Sequence, residues 1–429
     1  MMLSPGDTNV NINTVSDNGS PAAVEPQASS QSAPLISRGT VAFRKLTLSM
    51  FIAGSASFAM LYCVQPVLPV LSESFNITPA QSSLSLSVAT MMMAVGLLFT
   101  GTLSDALGRR RIMMVSLLLA ALCTGFCAVM PNWYGVVIMR ALTGLALSGV
   151  AAVAMTYISE EVHPSVLPLS MGLYISGNSI GSVSGRLITS VITDYTSWHA
   201  AFSIIGVVAI LSGLYFCTIL PESRQFKPVK FRPSQLVAAL KQHWRDPGLP
   251  WLFLTGFVLM GVFVTLFNYI SYRFADAPYH LSQTIIGLMS VVYLSGTLSS
   301  PKAGLLSARY GRGKVLISAL SLMLAGVLLT VFSAISLIAA GLVLVAAGFF
   351  AGHSVASSWI GRRAKTAKGQ ASSQYLFFYY LGSSVAGTVG GLFWNNFGWN
   401  GVVCFLMIIL AMGISASLKL WRTEDRNRF

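Results

Sequence analysis

Apolar stretches of about twenty residues or more recur along the chain from Leu46 to Trp421, separated by short polar breaks. They predict twelve membrane-spanning helices. The first six cover 46–71, 80–103, 112–130, 133–156, 166–193 and 199–219; the second six cover 250–273, 283–300, 315–333, 336–358, 370–394 and 399–420. Hydrocarbon offers no partner to a free backbone N–H or C=O, and the runs lack the polar–apolar alternation of barrel strands, so helices are expected throughout.

Residues 221–249 form the longest polar break between spans and carry six basic residues with Pro228, Pro233 and Pro247. This break divides the spans six and six. The expected fold is an all-α membrane protein with twelve transmembrane helices in two pseudo-symmetric six-helix bundles. The expected organisation is a disordered cytoplasmic tail 1–37, an N-terminal six-helix bundle 38–220, a cytoplasmic linker 221–249, a C-terminal six-helix bundle 250–421 and a cytoplasmic tail 422–429. Residues 1–37 contain no Lys or Arg, so they lack the basic start of a signal peptide.

Composition narrows the class. Hydrophobic residues make up 54% of the chain and charged ones 9%, a balance that excludes an ordinary soluble globular protein. The net charge of +14 raises the prospect of a nucleic-acid partner, but the positions of the basic residues exclude it. All 27 Lys and Arg except Arg140, Arg186 and Arg273 fall just before the first span, in the even-numbered loops, after the last span or at the adjoining helix ends. By the positive-inside rule both termini are then cytoplasmic, in a multi-pass protein of a bacterial inner membrane. The lipid bilayer is the implied partner. The five cysteines all fall in predicted spans, and Cys123 and Cys127, one turn apart without a His or carboxylate beside them, read as packing thiols.

The sequence repeats itself. Gly101-Thr-Leu-Ser-Asp105-Ala-Leu-Gly108-Arg109-Arg110-Arg111 follows the second span, and Gly304-Leu-Leu-Ser-Ala308-Arg-Tyr-Gly311-Arg312-Gly313-Lys314 follows the eighth. A weaker echo relates Tyr174, Gly177, Ser179 and Gly185 of span 5 to Tyr379, Gly382, Ser384 and Gly390 of span 11. Two six-span halves of common origin imply a site between them near the bilayer midplane.

The run from Gly101 to Arg111 resembles the signature of the major facilitator superfamily, over residues 46–420. The resemblance implies a secondary transporter, a small-molecule substrate, protons as a second partner and no cofactor. It gives Gly101 the task of letting two helices approach. The equivalent of Asp105 in the family sits at the N-terminal end of span 11, where the helix dipole favours an anion and clasps the outward-open state. Ala308 replaces the acid in the second copy. Glu160 and Glu161 close span 4 within reach of Arg109, Arg110 and Arg111, as gate partners or as solvated acids.

Arg140 with Gly144 in span 4 resembles the family's intramembrane arginine followed by a packing glycine. A buried Arg costs about 2.5–3.5 kcal/mol on insertion scales, so it faces a polar cavity or serves structural hydrogen bonds; the cavity is the expectation here. Gly177, Gly181 and Gly185 present a flat face for close packing in span 5. This run resembles the antiporter motif of drug exporters, without the family's Pro and with Arg186 at its end. Helices 1, 4, 7 and 10 line the cavity in this family, which points to Tyr62, Gln65, Arg140, Asn268 and His353; Asn178, Arg186, Tyr269, Tyr272, Gln374, Tyr375 and Tyr379 complete the candidates. Gly382 and Gly390 are the matching packing positions of span 11.

Leu61-Tyr-Cys-Val-Gln-Pro66, Leu266-Phe-Asn-Tyr-Ile270 and His353-Ser-Val-Ala-Ser-Ser-Trp-Ile-Gly361 are similar to the acriflavine-sensitivity branch, the YnfM-type bacterial transporters. Membership implies proton-driven efflux of lipophilic compounds or sugars from a monomer. No Asp or Glu lies deep in a span, which with Arg140 and Arg186 favours a neutral or anionic substrate over a cation; His353 of span 10 is either a group that titrates near neutral pH or a neutral hydrogen-bonded residue. A facilitator of sugars or organic anions without proton coupling is the alternative. A non-transporting receptor or scaffold is the alternative of another class. An enzyme is not expected, since no metal motif, phosphate-binding glycine loop or nucleophile–base pair is present.

Overall fold

The computed structural model describes residues 34–226, 228 and 240–426. The expected tail as far as residue 33, residues 227 and 229–239 of the basic linker, and residues 427–429 lie outside the described residues. Among those described, helix dominates. The first part comprises α1 (Val41–Tyr62), a 3-10 turn (Gln65–Val67), α2 (Leu68–Phe75), α3 (Pro79–Leu107), α4 (Arg109–Cys127), α5 (Trp133–Glu161), α6 (Leu167–Tyr195) and α7 (Trp198–Ile219). The second part comprises α8 (Leu249–Ala275), α9 (Gln283–Leu288), a 3-10 turn (Met289–Leu294), α10 (Ser295–Tyr310), α11 (Arg312–Leu329), α12 (Ile335–Arg363) and α13 (Lys368–Arg426). The run of α13 is broken at Gly398, whose φ of 59° and ψ of −149° are not helical.

Polar residues that orphan N–H groups require set the helix starts. Thr78 and Gln81 form a reciprocal capping box before α3, and Asn132, Ser197 and Ser282 cap α5, α7 and α9 through their side-chain oxygens. The helices overrun the hydropathy boundaries: α3 continues through Asp105, α5 through Glu160 and Glu161, and α12 through Arg362 and Arg363. Hydropathy marks the hydrocarbon, whereas the backbone ladder continues into the polar interface.

Ten of the described helical runs are long and apolar enough to cross a membrane, with α13 counted once. The 29-residue α6 falls outside that set because Ser, Thr, Gly, Asn and Arg186 dilute it. Two predicted spans are interrupted, the first at Gln65–Pro66 and the eighth at Met289–Leu294. Proline has no N–H to donate, so a helix passing through Pro66 would lose a ladder bond there.

Glycines set the closest approaches. On α6, a Cβ at Gly177 would stand 2.5 Å from the Phe51 carbonyl oxygen and one at Gly185 would stand 2.6 Å from the Ala59 Cα; one at Gly181 would fall on the Ser55 carbonyl. One face of α1 therefore lies flush on α6. Gly382 of α13 meets the Phe257 carbonyl and Gly390 meets Thr265 and Tyr269, so α8 and α13 repeat the crossing. Gly144 sits on the Ala89 backbone between α5 and α3.

The described residues begin inside the stretch expected as a tail. Ile36 N–H donates to the Glu161 carbonyl at 2.8 Å and the Ile36 carbonyl accepts from His163 N–H at 3.0 Å, which pins the entry to α1 against the end of α5.

Candidate functional site: a guanidinium beside a closed gate

The 3-10 break after α1 leaves the last carbonyls of that helix without intrahelical partners. Arg140 takes two of them. Its Nη1 donates to Met60 O at 2.7 Å, Nη2 to Leu61 O at 2.5 Å and Nε to Ser85 O at 3.0 Å, with no exposed surface. The expected place of Arg140 at the cavity is thus corrected: its donors are spent on backbone carbonyls of α1 and α3, where it ties off a broken helix end.

Arg186 is also buried, with a different set of partners. Its Nε donates to Gln65 Oε1 at 2.8 Å and its Nη1 bonds the Ser182 carbonyl at 2.7 Å and the Ser182 hydroxyl. The rings of Tyr62 and Tyr293 lie 4.4 and 4.7 Å from the guanidinium carbon. Nη2 has no hydrogen-bond partner among the described residues, and neither does the Tyr293 hydroxyl. Beside them is a cavity of about 20 Å³, room for a single water, lined by Gln65, Pro66, Arg186, Phe267, Ile270, Tyr293 and their neighbours.

Gln65 carries the contact across the chain. Its Nε2 donates to Asn268 Oδ1 at 2.8 Å, while Asn268 Nδ2 is buried without a partner. Nearby, the Tyr272 hydroxyl bonds the Ser72 hydroxyl at 2.7 Å and the Leu68 carbonyl at 3.0 Å, and the Tyr269 hydroxyl donates to Gly387 O at 2.6 Å. Asp194 at the end of α6 accepts from the Thr284 hydroxyl at 2.6 Å and from its amide. The Thr284 hydroxyl bond holds the Asp194 carboxyl below the usual carboxylate range. At this end, among the described residues, hydrogen bonds cross between residues 34–226 and residues 240–426 from the 3-10 turn after α1, the end of α6 and the second half of α8 to the opening turns of α2 and α9.

The opposite end is arranged differently. Gly108 and Gly311 terminate α3 and α10 with φ of 102° and 91°, a conformation that strains any side chain, so the repeated glycine is a backbone requirement. Arg109 forks onto Glu160, with Nη2 to Oε1 at 2.6 Å, and also pairs with Asp105 at 2.7 Å. Asp105 thus turns back onto its own loop, with no bond to α13. Arg110 donates to the Leu220 and Cys217 carbonyls, Arg111 is exposed, and Arg312 opens α11. Glu161 leaves the arginine loop and instead accepts from Ser223 and the Gln225 amide. A Cβ at Gly101 or Gly304 would meet nothing within 4 Å, so the close approach expected at Gly101 is absent in this state.

The other candidates divide. His353 lies half-buried between Tyr375 and Tyr379, with Nδ1 2.9 Å from the Tyr375 hydroxyl, in an aromatic cluster that includes Phe263, Phe349 and Tyr293. Asn178 faces Gly54 with its Oδ1 unpartnered. Gln374, expected at the cavity, bonds His243 of the linker at 2.6 Å instead. Sequence reasoning missed Ser182, Tyr293 and Thr284, single polar groups without periodic signal. It also missed Asp246, which accepts from the Gly248 and Leu249 amides and pairs with Arg363; an acid just before a Gly-Leu-Pro helix start was the available clue. Burial opposes the Asp246 charge, yet Arg363 and the two amides hold the carboxyl below its usual range.

The described chain thus combines paired glycine-terminated loops, a repeated helix crossing and a buried polar cluster between α1, α6 and α8. The Major Facilitator Superfamily profile matches residues 50–277 and 274–428, so the chain belongs to that superfamily. It is 58% identical over 410 residues to the inner membrane transport protein YnfM of Escherichia coli, covering 95% of this chain and 98% of that protein. It is 44% identical to the uncharacterized transporter YybF of Bacillus subtilis, covering 89% and 95%. In fold it resembles a bacterial homolog of the human lysosomal transporter Spinster in an inward-facing, unoccupied conformation, with TM-score 0.74, 14% identity and coverage of 90% and 98%. The nucleoside transporter NupG has TM-score 0.71, 13% identity and coverage of 87% and 98%. The chain is a multi-pass inner-membrane transporter.

Proposed function

We propose that this chain moves a small organic solute across the inner membrane by alternating access, with twelve spans in two six-helix bundles, both termini cytoplasmic and the monomer as the working unit. Gly398 supplies the break between an eleventh and a twelfth span, and α6 the fifth. The carrying observation is the asymmetry between the two ends. Among the described residues, hydrogen bonds join the halves at the Gln65–Asn268 end, whereas at the Arg109–Arg111 end Gly101 and Gly304 face open space. Basic loops face the cytoplasm, so the state described is open inward.

The solute is neutral or anionic. Arg186 is a buried guanidinium with no carboxylate beside it, and a cationic solute would meet a like charge. Proton-coupled efflux follows from the resemblance to the acriflavine-sensitivity branch, with His353 as the titrating group inside the pathway. The lack of any deep Asp or Glu favours a second reading, a facilitator of sugars or organic anions without proton coupling. Flux into proteoliposomes with and without a pH gradient separates the two: stimulation by the gradient supports coupling, and equal flux supports the facilitator. Absence of flux for every solute tested, with the protein folded, counts for the receptor class instead.

A further inference from the structure

Two guanidinium groups in this protein present the same side-on fork, formed by Nε and Nη2, to different surroundings. At Arg109 both teeth are filled by one carboxylate, Nε on Glu160 Oε2 and Nη2 on Glu160 Oε1. At Arg186 the fork is half filled. Nε is held by the neutral oxygen of Gln65, and Nη2, with two N–H groups, has no acceptor. The guanidinium carbon lies over the Tyr62 and Tyr293 rings, 4.4 and 4.7 Å from their centroids. Arg186 also lines the small cavity walled by Pro66, Phe267 and Ile270. A buried cation without a counter-charge is costly, and a carboxylate is the planar two-oxygen anion that matches this fork.

We propose that the Arg186 fork seats a carboxylate of the transported solute, and that this carboxylate displaces Gln65 Oε1 from Nε and thereby loosens the outer gate. The displacement matters because Gln65 is bifunctional. The amide oxygen anchors it to Arg186 of α6, and the amide nitrogen reaches Asn268 of α8. Once the oxygen is displaced, the side chain loses its fixed orientation and the bridge to Asn268 loses its anchor. Asn268 Nδ2 and the Tyr293 hydroxyl, both buried and unpartnered, are donors available to the arriving anion. The solute is therefore a monocarboxylate with an apolar body. This inference rests on the alternating-access function proposed above.

The test uses the full-length chain in lipid nanodiscs, with benzoate and hexanoate as probes and benzamide and hexanamide as uncharged counterparts. Binding is followed by calorimetry. The outer gate is followed by double electron–electron resonance between spin labels at Ser74→Cys and Ala277→Cys, both exposed, in a background with the native cysteines replaced. Either carboxylate is expected to bind and to lengthen the label distance, and neither amide is. Arg186→Gln abolishes the carboxylate response; Arg186→Lys, which keeps the charge without the fork, weakens it. Gln65→Ala tightens carboxylate binding by about tenfold, the worth of one displaced charge-assisted hydrogen bond. Equal responses to acid and amide, no carboxylate binding, binding without a distance change, or a Gln65→Ala that weakens binding as Arg186→Gln does, would each overturn the proposal. Two interconverting distances that ignore carboxylates would leave alternating access standing and remove the anion seat alone.

Discussion

Gln65 and Asn268 join the two parts of the chain by one amide–amide hydrogen bond of 2.8 Å, buried between α1 and α8. A single neutral bond contributes about 1 kcal/mol net, enough to shift a two-state equilibrium by about fivefold. Asn268→Ala is therefore expected to enlarge the outward-open population by that factor without loss of the fold. Spin-label distances across the outer end check it; an unchanged distribution would show that Tyr272 and its partners hold the gate alone.

Arg140 and Arg186 are expected to respond differently to removal. Arg140→Met removes three buried hydrogen bonds, two of them to the carbonyls that close α1, at a cost of about 3 kcal/mol. Detergent-solubilised protein should melt markedly lower or aggregate on a sizing column. Arg186→Gln keeps a hydrogen-bonding group toward Gln65 and Ser182, so it should run monodisperse yet fail in flux.

The glycines separate packing from conformational change. Gly181→Leu would drive a side chain into the Ser55 carbonyl and should abolish stable expression. Gly101→Leu has open space in the state described, so the melting temperature should hold. Transport should fall, because closure of the Arg109–Arg111 end brings that surface against a neighbour. Full transport by Gly101→Leu would contradict that closure.

Asp194 sets a sign for the pH dependence of the outer gate. Its carboxyl is held low by the Thr284 hydroxyl in the closed state and returns toward about 3.9 when the gate opens. Its support for closure is thus fully present above pH 5 and is lost only as pH falls through the lowered value. Asp194→Asn should weaken closure equally at pH 6 and pH 8, as read from the same label pair. A difference between those two pH values that vanishes in the variant would contradict this.

Much of the architecture is legible in the sequence because a membrane allows so few solutions. Runs such as 199–219 and 336–358 correspond to α7 and α12 within a few residues at the start of each, since apolar length and backbone satisfaction leave only a helix. The paired loops were legible through Gly108 and Gly311, whose backbone conformation strains other residues. The partner of a buried arginine was not legible. Arg140 and Arg186 look alike in sequence, and only the break at Gln65–Pro66 decides that one faces free carbonyls and the other a glutamine. Gln374 likewise read as a cavity residue because its partner, His243, comes from the linker more than a hundred positions away.

In the alternating access proposed for this chain, the two ends of the molecule exchange which one is closed. Label pairs at Ser74 and Ala277 for the outer end, and at the exposed Leu107 and Tyr310 for the inner end, measure it directly in nanodiscs. Two populations with opposite pairings are expected, outer short with inner long and the reverse, with Asn268→Ala transferring weight to the second. Distances at both ends that stay fixed and uncorrelated in the wild type and in the variant would contradict that exchange.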